Sequence, residues 1–286
     1  MKTKLISCIA VMMISIMAMS FTNKATDKNT ILIESTDTKI SKNALTESAG
    51  IISARLNDFC TGKIEVTVIP GKNQLQVAGI NESDILVAEK LMTQQGKIEF
   101  YRAYDQVELS GILKGDTQLF SMLNTTEVKD SYSRVGCTSL SKIEKVNQFL
   151  TSKEPMQKCR FVWGEFTDST EVCLYGLKVD KNNVPMLTGK DFESATYKQD
   201  QAAKFWQSDF SFKKPAVKLW SEITKQNINH AIAIVIDNHV ICAPVIRSVI
   251  ESGKCSITGN FTETDVRLFA AFGNHGELPA SFRVVR

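Results

Sequence analysis

The sequence predicts an α+β fold in which helices pack against mainly antiparallel sheet, and three observations carry that prediction. Residues 30–102 read strand, helix, hairpin, helix, strand, with the apolar period switching between 2 and about 3.6. Residues 231–242 hold a strand with apolar residues on both faces that turns back through Asp237-Asn238. Residues 262–273 open on a capping signal and continue at helical spacing.

The start of the chain lies outside this scheme. Lys2 and Lys4 precede an apolar run from Leu5 to Met19, and Ala18-Met19-Ser20 fits a small-x-small cleavage site. Residues 1–20 are therefore expected to be a secretory signal peptide cut near Ser20. The alternatives are an uncleaved N-terminal anchor with the protein facing the periplasm, and a lipoprotein signal at Leu5-Ile-Ser-Cys8, against which the apolar run lies after Cys8 rather than before it. Residues 21–29 read as a polar linker.

Thr30 to Ser35 is a strand, and Ser41 can cap a helix running to Phe59. Leu45, Ala49, Ile52, Leu56 and Phe59 form one apolar stripe on that helix. Ile64, Val66 and Val68 alternate with polar residues, Pro70 to Asn73 turns the chain, and Leu75 and Val77 return. Asn81 is expected to cap a second helix with Ile85, Ala88, Leu91 and Met92 inward, ended by Gly96. Ile98 and Phe100 then alternate with Glu99 and Tyr101 in a strand. The order is βαββαβ, the ferredoxin-like pattern.

Residues 105–160 are hard to read beyond one short helix marked by Ile143, Val146, Phe149 and Leu150. Phe161 to Trp163, Val172 to Leu177 and Phe205 to Phe212 read as strands. Ala216 to Lys225 is a helix with Val217, Trp220 and Ile223 on one face. Ile232, Ile234 and Ile236 share one face of the next strand, with Ala231, Ala233 and Val235 on the other, which implies cover on both sides. Asp237-Asn238 signals a tight hairpin, because both residues tolerate positive φ. Val240 to Cys242 returns, and Ile246 to Ser252 is either a short helix or a loop. Cys255 to Thr258 is a strand. Thr262-x-x-Asp265 caps a last helix through Val266, Phe269 and Ala270, and Ser281 to Val285 follows as a strand.

Several pieces of this series, in order, resemble the first periplasmic domain of SecD, the accessory subunit of the bacterial preprotein translocase. They are Ala231-Ile-Ala-Ile-Val-Ile-Asp237, Ile241-Cys-Ala-Pro-Val-Ile246, Ile250-Glu-Ser-Gly253, Ile257-Thr-Gly-Asn-Phe-Thr262 and Gly276-Glu-Leu-Pro279. Arg55-Leu-Asn57, Ile98-Glu-Phe-Tyr-Arg102 and Val184 to Asp191 are further matches. The resemblance implies a ferredoxin-like base over residues 30–105, an α+β head inserted over 106–261, and a return to the base over 262–286. It departs from the family at Ile31-Leu-Ile-Glu-Ser35, where a "D-L-x-G-G" motif is expected, and at Asn238, where the family has Gly. The family continues into a membrane channel where this chain stops, so no use of a proton gradient is expected.

The function implied is that of an exported, non-enzymatic SecD-like protein that binds translocating or unfolded polypeptide, or a translocase or other envelope partner. The alternative is an exported structural or adaptor module that kept the fold without the role. Removing Lys2 and Lys4 lowers the formal net charge from +3 to +1. A near-neutral mature chain argues against nucleic acid as a partner. No later stretch is long and apolar enough to span a bilayer.

The aromatic run Phe205, Trp206, Phe210 and Phe212, together with Val240, Ile241, Val245 and Ile246, is the candidate surface for extended polypeptide, which adds naturally to an open sheet edge. The alternative for most of these side chains is the core. Cys159 with Cys173, and Cys242 with Cys255, could flank hairpins and form disulfides, with buried free thiols as the alternative. Asp237, His239 and Cys242 lie close in sequence, but no oxyanion element or nucleophile elbow accompanies them. The few His and Cys match no zinc spacing, and the glycines form no phosphate loop, so neither catalytic residues nor a metal or cofactor is expected.

Overall fold

The alternating residues at the start of the fold become β1 (Ile31–Ser35), with Ile33 fully buried. The computed structural model describes residues 30–114, 116–125, 133–152, 158–164 and 170–285. The expected signal peptide and linker lie outside them. Helix α1 (Lys42–Phe59) is capped as read, the Ser41 hydroxyl accepting from the Ala44 N–H at 3.1 Å, and its predicted stripe is buried. The hairpin β2 (Glu65–Val68) and β3 (Gln74–Ala78) follows, then α2 (Ile85–Thr93). Asn81 does not cap α2. A single 3-10 turn intervenes, and the Asn81 amide donates instead to the Thr61 hydroxyl at 2.8 Å.

The base sheet has the order β14-β1-β3-β2, all antiparallel, where β14 is Phe282–Val285. Its fourth strand therefore comes from the end of the chain. The strand expected to complete the base, β4 (Ile98–Ala103), leaves it and enters a larger sheet. Alternation alone could not show this, because a strand with two buried faces fits either sheet.

The chain next forms α3 (Gln106–Ile112), α4 (Gln118–Ser121), β5 (Arg134–Ser139), α5 (Ile143–Ser152), β6 (Cys159–Trp163) and β7 (Glu171–Lys178). After β8 (Leu187–Thr188) come β9 (Phe192–Gln199), β10 (Trp206–Phe212) and α6 (Lys214–Gln226). The rest is β11 (Ala231–Ile236), β12 (His239–Cys242), β13 (Lys254–Thr258) and α7 (Glu263–His275). Residues 246–252 form no helix. The large sheet runs β12-β11-β4-β7-β5, with β6 added to β7 and β8 to β4. The small sheet runs β13-β10-β9.

All six residues of β11 are buried. Ile232, Ile234 and Ile236 join the main core with α1, α2, α7 and the small sheet. Ala231, Ala233 and Val235 face a second core with Tyr101, Val162, Tyr175 and Leu177. The β11–β12 turn has φ of 46° at Asp237 and 66° at Asn238, the left-handed values that Asp and Asn accept. Helix α7 has the expected capping box between Thr262 and Asp265. It packs on the small sheet and against α1 and α2, joining head and base through one core.

Candidate functional site

Strands β12 and β13 are the terminal strands of their sheets, and they border one open cleft of about 700 Å³. Ile241 and Cys242 of β12 lie on one side, Ser256 and Thr258 of β13 on the other, with Phe261 at the small-sheet end. The wall between them is the β5–β7 face, including Arg134, Cys173 and Tyr175. Among the described residues the outer edge of β12 makes a single bridge, Gly164 with Val240. Two strand ends beside a polar-lined slot can offer backbone N–H and C=O groups to an extended chain.

The sequence-selected residues divide. Ile241 lines the cleft and Val245 is half-buried. Val240 borders the cleft, but its side chain is buried in the second core. Phe205 and Trp206 are half-buried and do not line the cleft, although Gln207 lies opposite the cleft-lining Thr258; the Trp206 ring lies 6.3 Å from the Tyr197 ring. Phe210, Phe212 and Ile246 belong to the main core. Phe210 stacks on Phe192 at 4.7 Å, and Phe212 packs on Trp220 at 5.2 Å. These core side chains cannot meet a ligand without unfolding, because alternate residues of β10 point into a covered face. Sequence reasoning missed Ser256, Thr258 and Phe261, whose bordering of the cleft depends on two sheets meeting.

The disulfide expectation is corrected. Cys173 pairs with Cys137, and Cys60, Cys159, Cys242 and Cys255 are free thiols. In the β6–β7 hairpin Cys159 lies opposite Lys178, far along the strand from Cys173. On the other side of β7, Cys137 lies directly opposite Cys173. Burial pushes the Cys159 thiol up to about 12 and the Cys242 thiol well above its ordinary range. Burial, with the Asp209 charge adding to it, pushes Cys255 up to about 12. Protonated thiols are poor nucleophiles.

The Asp237 carboxylate is used structurally, accepting from the Gly96 N–H at 2.9 Å and the Lys97 N–H at 2.8 Å. His239 Nδ1 lies 3.0 Å from the Asp237 carbonyl. Asp105, Glu108 and His230 converge closely enough to suggest a metal. The Arg102 guanidinium, however, pairs with Glu108 and lies 2.9 Å from His230 Nδ1, supplying the positive charge there itself. The Asp105 and Glu108 carboxylates also form the capping box of α3.

The comparisons with known proteins agree with this fold. Residues 174–280 match the family described as SecDF, P1 head subdomain. The protein translocase subunit SecD of Calditerrivibrio nitroreducens is 25% identical over 244 residues, covering 81% of this chain and 41% of that protein. The SecD of Acetobacter pasteurianus is 38% identical over 97 residues, covering 34% of this chain and 19% of that protein. The chain thus spans less than half the length of these relatives. A solved structure of SecDF, described as a membrane component that enhances protein export, matches with a TM-score of 0.55 at 21% identity. It covers 90% of this chain and 98% of its own. A crystal structure of SecDF in a super-membrane-facing form gives 0.56 at 19% identity, covering 90% of this chain and 29% of its own. Such identities speak for fold rather than activity. This chain has the fold of the first periplasmic domain of SecD, with the head subdomain resemblance falling on residues 174–280.

Proposed function

We propose that this chain is an exported accessory of protein translocation of the SecD kind, holding translocating or unfolded polypeptide without catalysing a reaction. The observation that carries this reading is the cleft between β12 and β13, where two terminal strands border one slot. An extended chain laid there gains main-chain hydrogen bonds irrespective of its sequence, which suits a protein that meets many substrates. Ile241 and Phe261, half-buried against the main core, line the cleft and add apolar contacts. Strands β11 and β4, which follow β12 in the same sheet, are largely buried and give that edge a rigid support. Among the described residues no helix is long and apolar enough to cross a membrane.

The test is a titration of residues 21–286 with a fluorescently labelled exported protein, unfolded and folded. Selective binding of the unfolded form, weakened about ten-fold by Ile241→Asp with Phe261→Ser, supports the reading; the loss of two apolar contacts sets that size. Binding of neither form leaves the adaptor reading, and a pull-down of envelope proteins then identifies its partner.

A further inference from the structure

The outer face of α6 carries charge that no described residue pairs with. Lys214, Lys218 and Lys225 recur on one exposed stripe, opposite the buried Ala216, Trp220, Ile223 and Thr224. Arg247 is brought beside the end of the helix, because Ile228 bridges Ile246 and the Asn229 N–H donates to the Ile246 carbonyl at 2.8 Å. Among the described residues none of these four cations has an ion pair or a side-chain hydrogen bond. Residues 21–286 carry a formal charge of only +1, so this is a placement of charge and not an excess.

The placement works against the helix. Its first turn has no acidic residue, and its N-cap is Lys213, which makes no capping bond. Lys214 and Lys218 are like charges four residues apart. Glu222 lies on this face, and Glu251 is brought beside the helix by the Ile250 N–H to Thr224 hydroxyl bond at 3.0 Å, so two acids partly offset the four cations. Two large apolar side chains are exposed nearby in sequence, Leu219 at 43%, next to Lys218, and Ile228 at 39%, three residues after Lys225.

We infer that α6 and the Ile228–Arg247 corner form a docking face for an anionic bilayer surface. A helix exterior is convex and offers no slot to an extended polypeptide, but it can lie along a plane. Lysine heads can reach lipid phosphates while their stems, Leu219 and Ile228 settle at the headgroup boundary. The attraction to anionic lipid gives about a five-fold gain in binding per cation, so three lysines supply roughly a hundred-fold. The face is separate from the cleft, so the inference does not depend on polypeptide binding.

The experiment is co-sedimentation of residues 21–286, without the apolar leader, with phosphatidylcholine vesicles and with vesicles that also contain phosphatidylglycerol. Binding is expected only to the anionic vesicles, falling with salt. It should drop roughly a hundred-fold in K214Q/K218Q/K225Q and further in K214E/K218E/K225E. It should stay near the parent value in K42E/K63E/K72E, which makes the same charge change on the base. Circular dichroism confirms that each variant is folded. The proposal is overturned by absence of binding to anionic vesicles, by equal losses in the two glutamate triples, or by polyglutamate binding this face as tightly as the vesicles do.

Discussion

Arg55 is fully buried, and its guanidinium donates to the carbonyls of Leu91, Gln94, Gln95 and Gly276 while lying 4.7 Å from the centre of the Phe272 ring. It thereby ties the ends of α2 and α7 to α1. Burial lowers its pKa to about 10, with the Asp237 charge acting the other way, so it remains charged at neutral pH. Gly96 has φ of 75°, and a Cβ there would strike both this guanidinium and the Phe272 ring. Arg55→Met should cost about 3 kcal/mol or more in urea denaturation, since four carbonyls lose their donor. A loss under about 1 kcal/mol would mean that water reaches them. Asp84 gives a pH test. Hydrogen bonds from the Thr61 N–H at 2.6 Å and hydroxyl at 2.7 Å hold its carboxyl below the ordinary 3.8. A depressed folded pKa stabilises above the unfolded value and is lost as pH falls through the folded one. Urea midpoints of Asp84→Asn should therefore lie below those of the parent at neutral pH and converge on them below about pH 4.

Among the elements, β11 is where sequence and structure agree most closely. Its two apolar faces were legible from Ile232, Ile234 and Ile236 against Ala231, Ala233 and Val235, and each face meets a different core. Ile234→Ala should destabilise by about 2–4 kcal/mol, read by thermal or urea unfolding, because the strand is fixed on both sides and cannot collapse into the space. The β5–β7 pair was not legible. Residues 134–139 carry few apolar side chains, and only the register with β7 shows why Cys137 belongs there. Alkylation of the oxidised, denatured chain from residue 21 should label four thiols, Cys60, Cys159, Cys242 and Cys255, and two more after reduction. Removing the pair with Cys137→Ala/Cys173→Ala should cost about 3–4 kcal/mol on the chain-entropy estimate for a separation of 36 residues.

Across the whole molecule, the base is closed by its last strand. Leu32 to Ser35 pair with Phe282 to Val285, and α7 places that strand after packing on the small sheet. Truncation after Ala280 should therefore expose the β1 edge and Ile33 beneath it. Amide exchange should accelerate across β1 and β3 as well as at the cut, while β5 to β7 stay protected. Uniform protection would show that the base closes without β14.

The helices capped by Ser41 and Thr262, the Asp237-Asn238 turn and the doubly apolar β11 were all determined by residues within a few positions of one another. Caps, turns and periodicity are local physics, and a sequence displays them directly. Other features rest on partners brought from far along the chain. Cys173 chose Cys137 over Cys159, Phe210 and Phe212 went to the core, and Ile98–Ala103 left the base for the larger sheet. Strand pairing places two faces and two edges at once, so only the assembled sheets decided which side chains are covered and which strand ends border the cleft.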